Sequence, residues 1–444
     1  MGTTKRIHEI RDPVHGFIRM DSEERNAVDS RPVQRLRHIH QLSLSYLVYP
    51  AATHRRFEHS LGVMELASRV FDVVTDAERK HAAVWDLMPE LRDPDKRAYW
   101  RRVLRMAALC HDLGHLPFSH GAEKELLPPG WDHERLTHEI IRSPEMMKTW
   151  EAMTPPLRAD DLAKLALGPS SLPDTAFTQW ESILSEIIVG EAFGVDRMDY
   201  LLRDSHHIGV AYGRFDHYRL VDTLRILPPP PAGQGGESRE PALGIEEGGL
   251  HSAEALLLAR YFMYTQVYFH PVRRVYDVHL RDFLAEWLAG GRFPTEVELH
   301  LKTTDNEVLA ALSAVARDPD ARGFEAARRI AQHDHFRCVY ETQAADVKLK
   351  ARPGEAVYTA LCAKFGAHNV RRDVRDTPED VHDFPVLLAD DSVASAHSVS
   401  DVLTQLPAPR LDRVYVPKDL RDDAQTYIRE HRESILTSGG GQEA

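Results

Sequence analysis

The run Val103-Leu104-Arg105-Met106-Ala107-Ala108-Leu109 leads into Cys110-His111-Asp112-Leu113-Gly114-His115-Leu116-Pro117-Phe118-Ser119-His120, and this junction constrains the fold more than any other part of the chain. The apolar run is helical in composition and reads as buried. It delivers an adjacent imidazole and carboxylate to the end of a buried element, where polar groups without partners are costly. An isolated His-Asp pair can satisfy itself against neighbouring backbone. Three histidines and an aspartate within eleven positions point instead to a metal ion or to proton chemistry, because functional sites gather titratable groups.

Two distant segments carry matching groups. His59 follows Arg55-Arg56-Phe57-Glu58 and precedes the helical pattern Met64, Leu66, Ala67, Val70, Phe71, so it enters an amphipathic helix from a polar segment. Residues 187–202 form another largely apolar helical stretch, broken on one side by Asp196, Asp199 and Arg203. Two imidazoles and two carboxylates make a mixed N/O set that suits iron, manganese, zinc or magnesium without choosing among them. Such an ion polarises a phosphoryl oxygen and lowers the pKa of bound water, which makes phosphate-ester hydrolysis the natural reaction. His115 and His120, with His133 after the turn at 128–130, titrate near neutrality and can exchange protons at working pH. Arg56 lies about one helical turn before His59, within reach of a phosphate beside the metal. Asp196, Tyr200 and Asp204 share one helical face.

The words Asp12-Pro13-Val14-His15-Gly16, Arg35-Leu36-Arg37, Arg56-Phe57-Glu58-His59-Ser60-Leu61-Gly62, His111-Asp112-Leu113-Gly114-His115 and Asp199-Tyr200 occur in that order. The set resembles the HD-domain deoxynucleoside triphosphate triphosphohydrolases, nearest to the catalytic core of the vertebrate SAM- and HD-domain enzymes and their bacterial relatives, with no SAM domain expected here. The resemblance runs from residue 7 to about residue 290 and continues weakly to about 345. It implies a mainly α-helical HD-domain fold with a divalent metal held by His59, His111, Asp112 and Asp196, and additional magnesium with the triphosphate. It implies a proton-handling group of His115, Glu123 and His133, with glutamate at 123 where the vertebrate enzymes have aspartate, and His120 near the phosphate and leaving oxygen. It places Gln41, Arg56, Arg197, Tyr200, Asp204, Arg260 and Tyr268 around the substrate. Arg197 replaces a lysine, keeping the charge but changing its geometry. Tyr268-Phe269-His270 departs from the family's Tyr-Gln-His. Asp29, Gln34 and Arg37 match residues that bind a regulatory nucleotide, GTP or a dNTP, in a homo-oligomer (dimer or tetramer), whereas His8 and Arg11 depart from that pattern.

At 444 residues and 43% hydrophobic content the chain can bury a large core. The expected organisation is a catalytic domain over 1–290 with an exposed Pro/Gly-rich arm at 228–250, and a smaller α+β domain over 291–438 serving oligomerisation or regulation. A disordered tail is expected over 439–444. Within the first domain, turn-rich interruptions are read at 86–97, 128–133 and 154–175, and one helix-like stretch at 252–288. Strands are read at 242–245, 336–340, 384–388 and 413–416.

No apolar run approaches the roughly 20 residues that span a bilayer, and the N-terminus lacks a signal-peptide core. Cys110, Cys338 and Cys362 are scattered and odd in number, so no disulfide framework is expected. A cytoplasmic location with no membrane partner follows. The net charge of −13 disfavours binding to long nucleic acid. Arg31, Arg35, Arg37, Arg55 and Arg56 leave room for a local basic groove that suits triphosphate, a regulatory nucleotide or a single strand, while Arg101, Arg102 and Arg105 read as the wet face of an amphipathic helix.

Three functions are compatible with these residues. The first is a metal-dependent dNTP triphosphohydrolase in which water attacks the α-phosphorus and releases deoxynucleoside and triphosphate. The alternative is an HD-type nuclease or phosphodiesterase acting on single-stranded DNA, since a scaffold does not settle its substrate. A non-catalytic nucleotide sensor is disfavoured by the intact ligand set.

Overall fold

Asp93 and Pro94 start the helix that carries the His-Asp doublet. The Asp93 carboxylate accepts the backbone N–H groups of Asp95 and Lys96, and proline occupies the first turn, where no amide hydrogen is required. The helix Pro94–Cys110 then buries every residue from Val103 to Cys110 and ends with His111 as its C-cap. The apolar face of the helix Arg56–Val74 packs against it, and Val195–Ile208 packs on the same Arg56–Val74 helix. The helices Ala159–Ser171 and Gln179–Val189 complete this mainly α-helical assembly.

The structure, a computed structural model, describes residues 6–79, 84, 89–119, 123–229, 240–376 and 383–437. The chain forms two compact units. The first comprises Met1–Met263, Phe293–Asn306 and Asp380–Pro407; the second comprises Tyr264–Arg292, Glu307–Glu379 and Ala408–Ala444. A single cut at 290/291 was expected, but the chain crosses between units several times.

In the first unit an antiparallel hairpin, His8–Asp12 with Gly16–Met20, opens the chain. Asp12 Oδ1 accepts the amides of Val14 at 2.9 Å and His15 at 2.8 Å, which fixes the turn that presents His15. A four-stranded sheet orders Leu224–Leu227, Ala242–Glu246, Pro385–Leu387 and Val393–Ser395, with the middle pair parallel. In the second unit Arg410–Val416 lies between Arg337–Glu341 and Arg371–Asp376, antiparallel to both. One face of this sheet buries Tyr340, Val414 and Val416 against Val357 and Leu361 of the helix Pro353–Phe365 and Ala424 and Ile428 of the helix Arg421–Thr437.

Several expectations are corrected. The stretch 154–175 contains the helix Ala159–Ser171, hidden in sequence between two prolines and a kink at Gly168-Pro169; Leu162, Leu165 and Ala166 are buried. Within the supposed exposed arm at 228–250, Leu243 and Ile245 are buried sheet residues; 230–239 lie outside the described residues. Phe384–Leu388 belongs to the first unit, because Val386 pairs with Ile245. The stretch 252–288 is two helices, Leu250–Met263 and Pro271–Trp287, separated by a widened π-type turn at Tyr264–Tyr268. Arg102 and Arg105 do not form a wet face. Arg105 is buried and pairs with Glu24 at 2.8 Å, and Arg102 reaches Asp21 at 2.6 Å and Glu23 at 2.7 Å. Among the described residues no helix is long and apolar enough to cross a membrane. The tail at 439–444 lies outside the described residues.

Candidate active site

The helix Arg56–Val74 brings His59 into the core one turn from its N-terminus, and the C-terminal end of Pro94–Cys110 brings in His111. Asp196 enters from the first turn of Val195–Ile208. The ligand atoms of His59, His111 and Asp196 all lie within 4.8 Å of one another. His59 Nδ1 donates to Asp199 Oδ2 at 2.8 Å, and His111 Nδ1 donates to the Ala108 carbonyl at 2.8 Å. Both imidazoles therefore turn their Nε2 atoms towards Asp196, whose Oδ1 stands 3.0 Å from His59 Nε2 and 3.5 Å from His111 Nε2. Two buried imidazole nitrogens converging with a carboxylate oxygen on one point make a mixed N/O donor set that fits a divalent metal. Asp112, the fourth expected ligand, lies beside this trio. Its Oδ1 is 3.3 Å from His111 Nε2 and its Oδ2 is 3.6 Å from His59 Nε2.

The charges are tightly balanced. Burial pushes the Asp112 carboxyl up, but Arg56 beside it, with His111 and His115, holds it well below the usual carboxylate range. Asp196 is lowered in the same way, with His111 and His59 outweighing burial. Burial alone would lower His59, yet Asp196 and Asp199 raise it to about 10.

Arg56 is buried, its Nη1 on Asp112 Oδ2 and its Nε donating to Ser119 Oγ at 2.8 Å. His115 Nε2 lies 3.2 Å from Asp112 Oδ1, and its ring stacks on His133 at 4.2 Å between centroids. That stack needs glycine at 114: a Cβ there would stand 2.0 Å from the His133 carbonyl oxygen. Glu123 opens the short helix Glu123–Leu126, and His120 lies outside the described residues.

The other expected residues are dispersed around this centre or apart from it. Asp204 is buried and accepts His54 Nε2 at 2.7 Å. Arg197 pairs with Glu191 at 3.0 Å. Tyr200 is half-buried on the helix of Asp196. Gln41 has a buried Oε1 with no hydrogen-bond partner. Arg260 lies on Leu250–Met263, in the first unit, and Tyr268 in the turn 264–268 of the second. Asp29, Gln34 and Arg37 bond locally: Asp29 to Arg25 at 2.7 Å, Gln34 to the Val28 carbonyl at 2.8 Å and Arg37 to Gln34 at 2.8 Å.

Sequence reasoning assigned no role to the groups behind this centre. Asp199 is fully buried and accepts His15 Nε2 at 2.6 Å, His59 Nδ1 at 2.8 Å, and Arg203 Nε and Nη2 at 2.8 and 2.9 Å. Arg203 reaches on to Asp12 at 2.8 Å. His40, Ser119 and Asp305 form a second buried group. The only advance signal was that Asp12, His15 and Asp199 stood in the recognised words.

Comparison with known proteins agrees with this architecture. An HD domain matches residues 56–203, and an HD associated region matches residues 215–431. The uncharacterized protein YwfO of Bacillus subtilis is 35% identical over 277 residues, covering 62% of this chain and 54% of that protein. The human deoxynucleoside triphosphate triphosphohydrolase SAMHD1 is 30% identical over 385 residues, covering 78% of this chain and 57% of that protein. The chain thus spans about half the length of the curated relatives it matches. The crystal structure of a hypothetical protein from Aquifex aeolicus superposes with a TM-score of 0.74 at 32% identity, over 95% of this chain and all of that one. With His59, His111 and Asp196 brought together from its three central helices, the chain belongs to the HD-domain family and carries an HD domain followed by an HD associated region.

Proposed function

We propose that this protein is a deoxynucleoside triphosphate triphosphohydrolase, cleaving a dNTP at the α-phosphorus to deoxynucleoside and triphosphate. The observation that carries the reading is the convergence of the buried Nε2 atoms of His59 and His111 on Asp196, beside a buried guanidinium and a stacked pair of imidazoles. His59, His111 and Asp196, with Asp112, would hold the divalent ion, whose chemistry is to polarise the phosphoryl oxygen and acidify water. Arg56, anchored by Asp112 and Ser119, binds a phosphate oxygen and orients the chain of phosphates. His115 takes a proton of the attacking water on its imidazole, with its ring held by the stack on His133 and the resulting charge balanced by the Asp112 carboxylate at Nε2. Glu123 and His120 complete the proton traffic to the leaving oxygen. Gln41, Arg197, Tyr200, Asp204, Arg260 and Tyr268 are proposed to contact sugar, base or phosphate. Control by GTP or a second dNTP is proposed at Asp29, Gln34 and Arg37.

The test incubates the metal-loaded protein with each dNTP, with and without GTP, and separately with end-labelled single-stranded DNA. Release of inorganic triphosphate supports the reading. Shortened strands without triphosphate release would transfer the site to a nuclease, and rates unchanged by any added nucleotide would remove the regulatory part.

A further inference from the structure

We propose that Asp305 is a positioning residue for this site, holding the strained Phe118-Ser119 backbone so that Ser119 aims Arg56 at the substrate phosphate. The proposal rests on the phosphate-binding role given to Arg56 above.

Phe118 and Ser119 lie next to each other at φ 59° and 57°, the left-handed region that side chains disfavour. Strain of this kind persists only where surrounding contacts over-determine the backbone. Here one carboxylate does much of that. Asp305 Oδ1 accepts the Phe118 amide at 2.7 Å, while Oδ2 accepts the His40 amide at 2.7 Å and His40 Nδ1 at 2.6 Å. The His40 ring stacks nearly parallel to Phe118, with centroids 5.9 Å apart, and also on Tyr46 at 5.1 Å. Ser119 Oγ donates to the His40 carbonyl at 3.0 Å and accepts Arg56 Nε at 2.8 Å. The relay runs from Asp305 through Phe118 and His40 to Ser119, then to Arg56 and Asp112, and every member is buried.

Glycine would remove the strain at either position, but it would remove the stacking ring at 118 or the hydroxyl that receives Arg56 at 119. Both side chains are used, so the conformation must be held from outside. Asp305 comes from the segment Phe293–Asn306, far along the chain, and its carboxylate reaches both sides of the loop in one step.

Asp305→Asn and Ser119→Ala, singly and together, test the relay in the intact chain. The first readout is hydrogen exchange at the amides of residues 118 and 119, which needs no substrate. Asp305→Asn is expected to speed it by about tenfold or more, as local opening becomes easier. The second is the affinity of the metal-loaded protein for inorganic tripolyphosphate, measured with divalent metal in excess. Each single variant is expected to lose about tenfold, with the double variant losing no more than either, because the two residues act through one path. Metal content stays at the wild-type value throughout, which a general loss of folding would not allow. Unchanged exchange in Asp305→Asn, or affinity losses that multiply in the double variant, would overturn the inference. If the wild-type protein bound no tripolyphosphate and hydrolysed no dNTP, the functional reading of Arg56 would fall, and the exchange result would still decide whether Asp305 holds the loop.

Discussion

Asp199 Oδ2 accepts the Nδ1 hydrogen of His59 at 2.8 Å, while Asp196, three residues earlier on the same helix, places Oδ1 3.0 Å from His59 Nε2. One helix thus grips both nitrogens of one imidazole. The buried carboxylate at Nδ1 fixes the tautomer and leaves the Nε2 lone pair for the metal, and such outer partners also raise ligand basicity.

Asp199→Asn removes that charge at nearly constant volume. Metal affinity is expected to fall by about 10- to 100-fold, read by competition with a chromogenic chelator. Wild-type affinity in the variant would show that His59 needs no such partner.

Gly62 is the opening through which Asp199 and Arg203 approach the His59 helix. A Cβ there would stand 1.9 Å from Asp199 Oδ1 and 2.4 Å from Arg203 Nη2. These atoms are locked into a buried ion network and cannot retreat cheaply, so Gly62→Ala is expected to lose about 1–3 kcal/mol or more. Denaturant unfolding measures this; an unchanged midpoint would mean that the network can shift.

Ligand loss and proton-handling loss are separable. Replacing both His111 and Asp112 by alanine is expected to abolish bound metal and hydrolysis together. His115→Ala should keep the metal while kcat falls by about 10²- to 10⁴-fold. Elemental analysis beside dNTP turnover distinguishes the two, and full turnover without bound metal would refute the site.

The second unit carries an acid-sensitive group. His279 accepts the Phe336 amide at Nε2 at 3.1 Å, and burial, then Arg329 and Arg371, lowers its pKa to about 3. The unfolded value is near 6.5. The folded chain therefore keeps this imidazole neutral, and its contribution is complete above about pH 6.5 and lost as pH falls towards 3, at up to about 1.4 kcal/mol per pH unit. His279→Gln, which keeps an acceptor for Phe336, should flatten the fall in stability between about pH 6.5 and 5. Equal slopes in both proteins would place the acid sensitivity elsewhere.

Much of the chemistry was legible because it is local. The helix Pro94–Cys110 announces itself by its apolar run, and its end necessarily presents His111 and Asp112. His59 stands at the entry of a further amphipathic helix; the stretch 187–202, read as one helix, is divided between Gln179–Val189 and Val195–Ile208, so that Asp196 enters from a first turn, and the structure brings both residues to His111. The helix Ala159–Ser171 was missed because prolines and a Gly-Pro kink mask its apolar face, although that face is buried. The strand Pro385–Leu387 was assigned to the wrong unit, since three apolar residues do not name the strand they will pair with.

By itself, the sequence determined that apolar helical segments carry His59, His111 and Asp112, and Asp196, because those follow from periodicity and adjacency. Only the tertiary structure decided what stands behind them: Asp199 against His59, Arg203 between Asp199 and Asp12, and Asp305 beneath the Phe118-Ser119 loop. Those partners lie far apart in the chain or on a helix face whose neighbours the sequence does not name. A buried carboxylate is tolerated only where several donors converge on it, and that convergence exists only once the helices have packed.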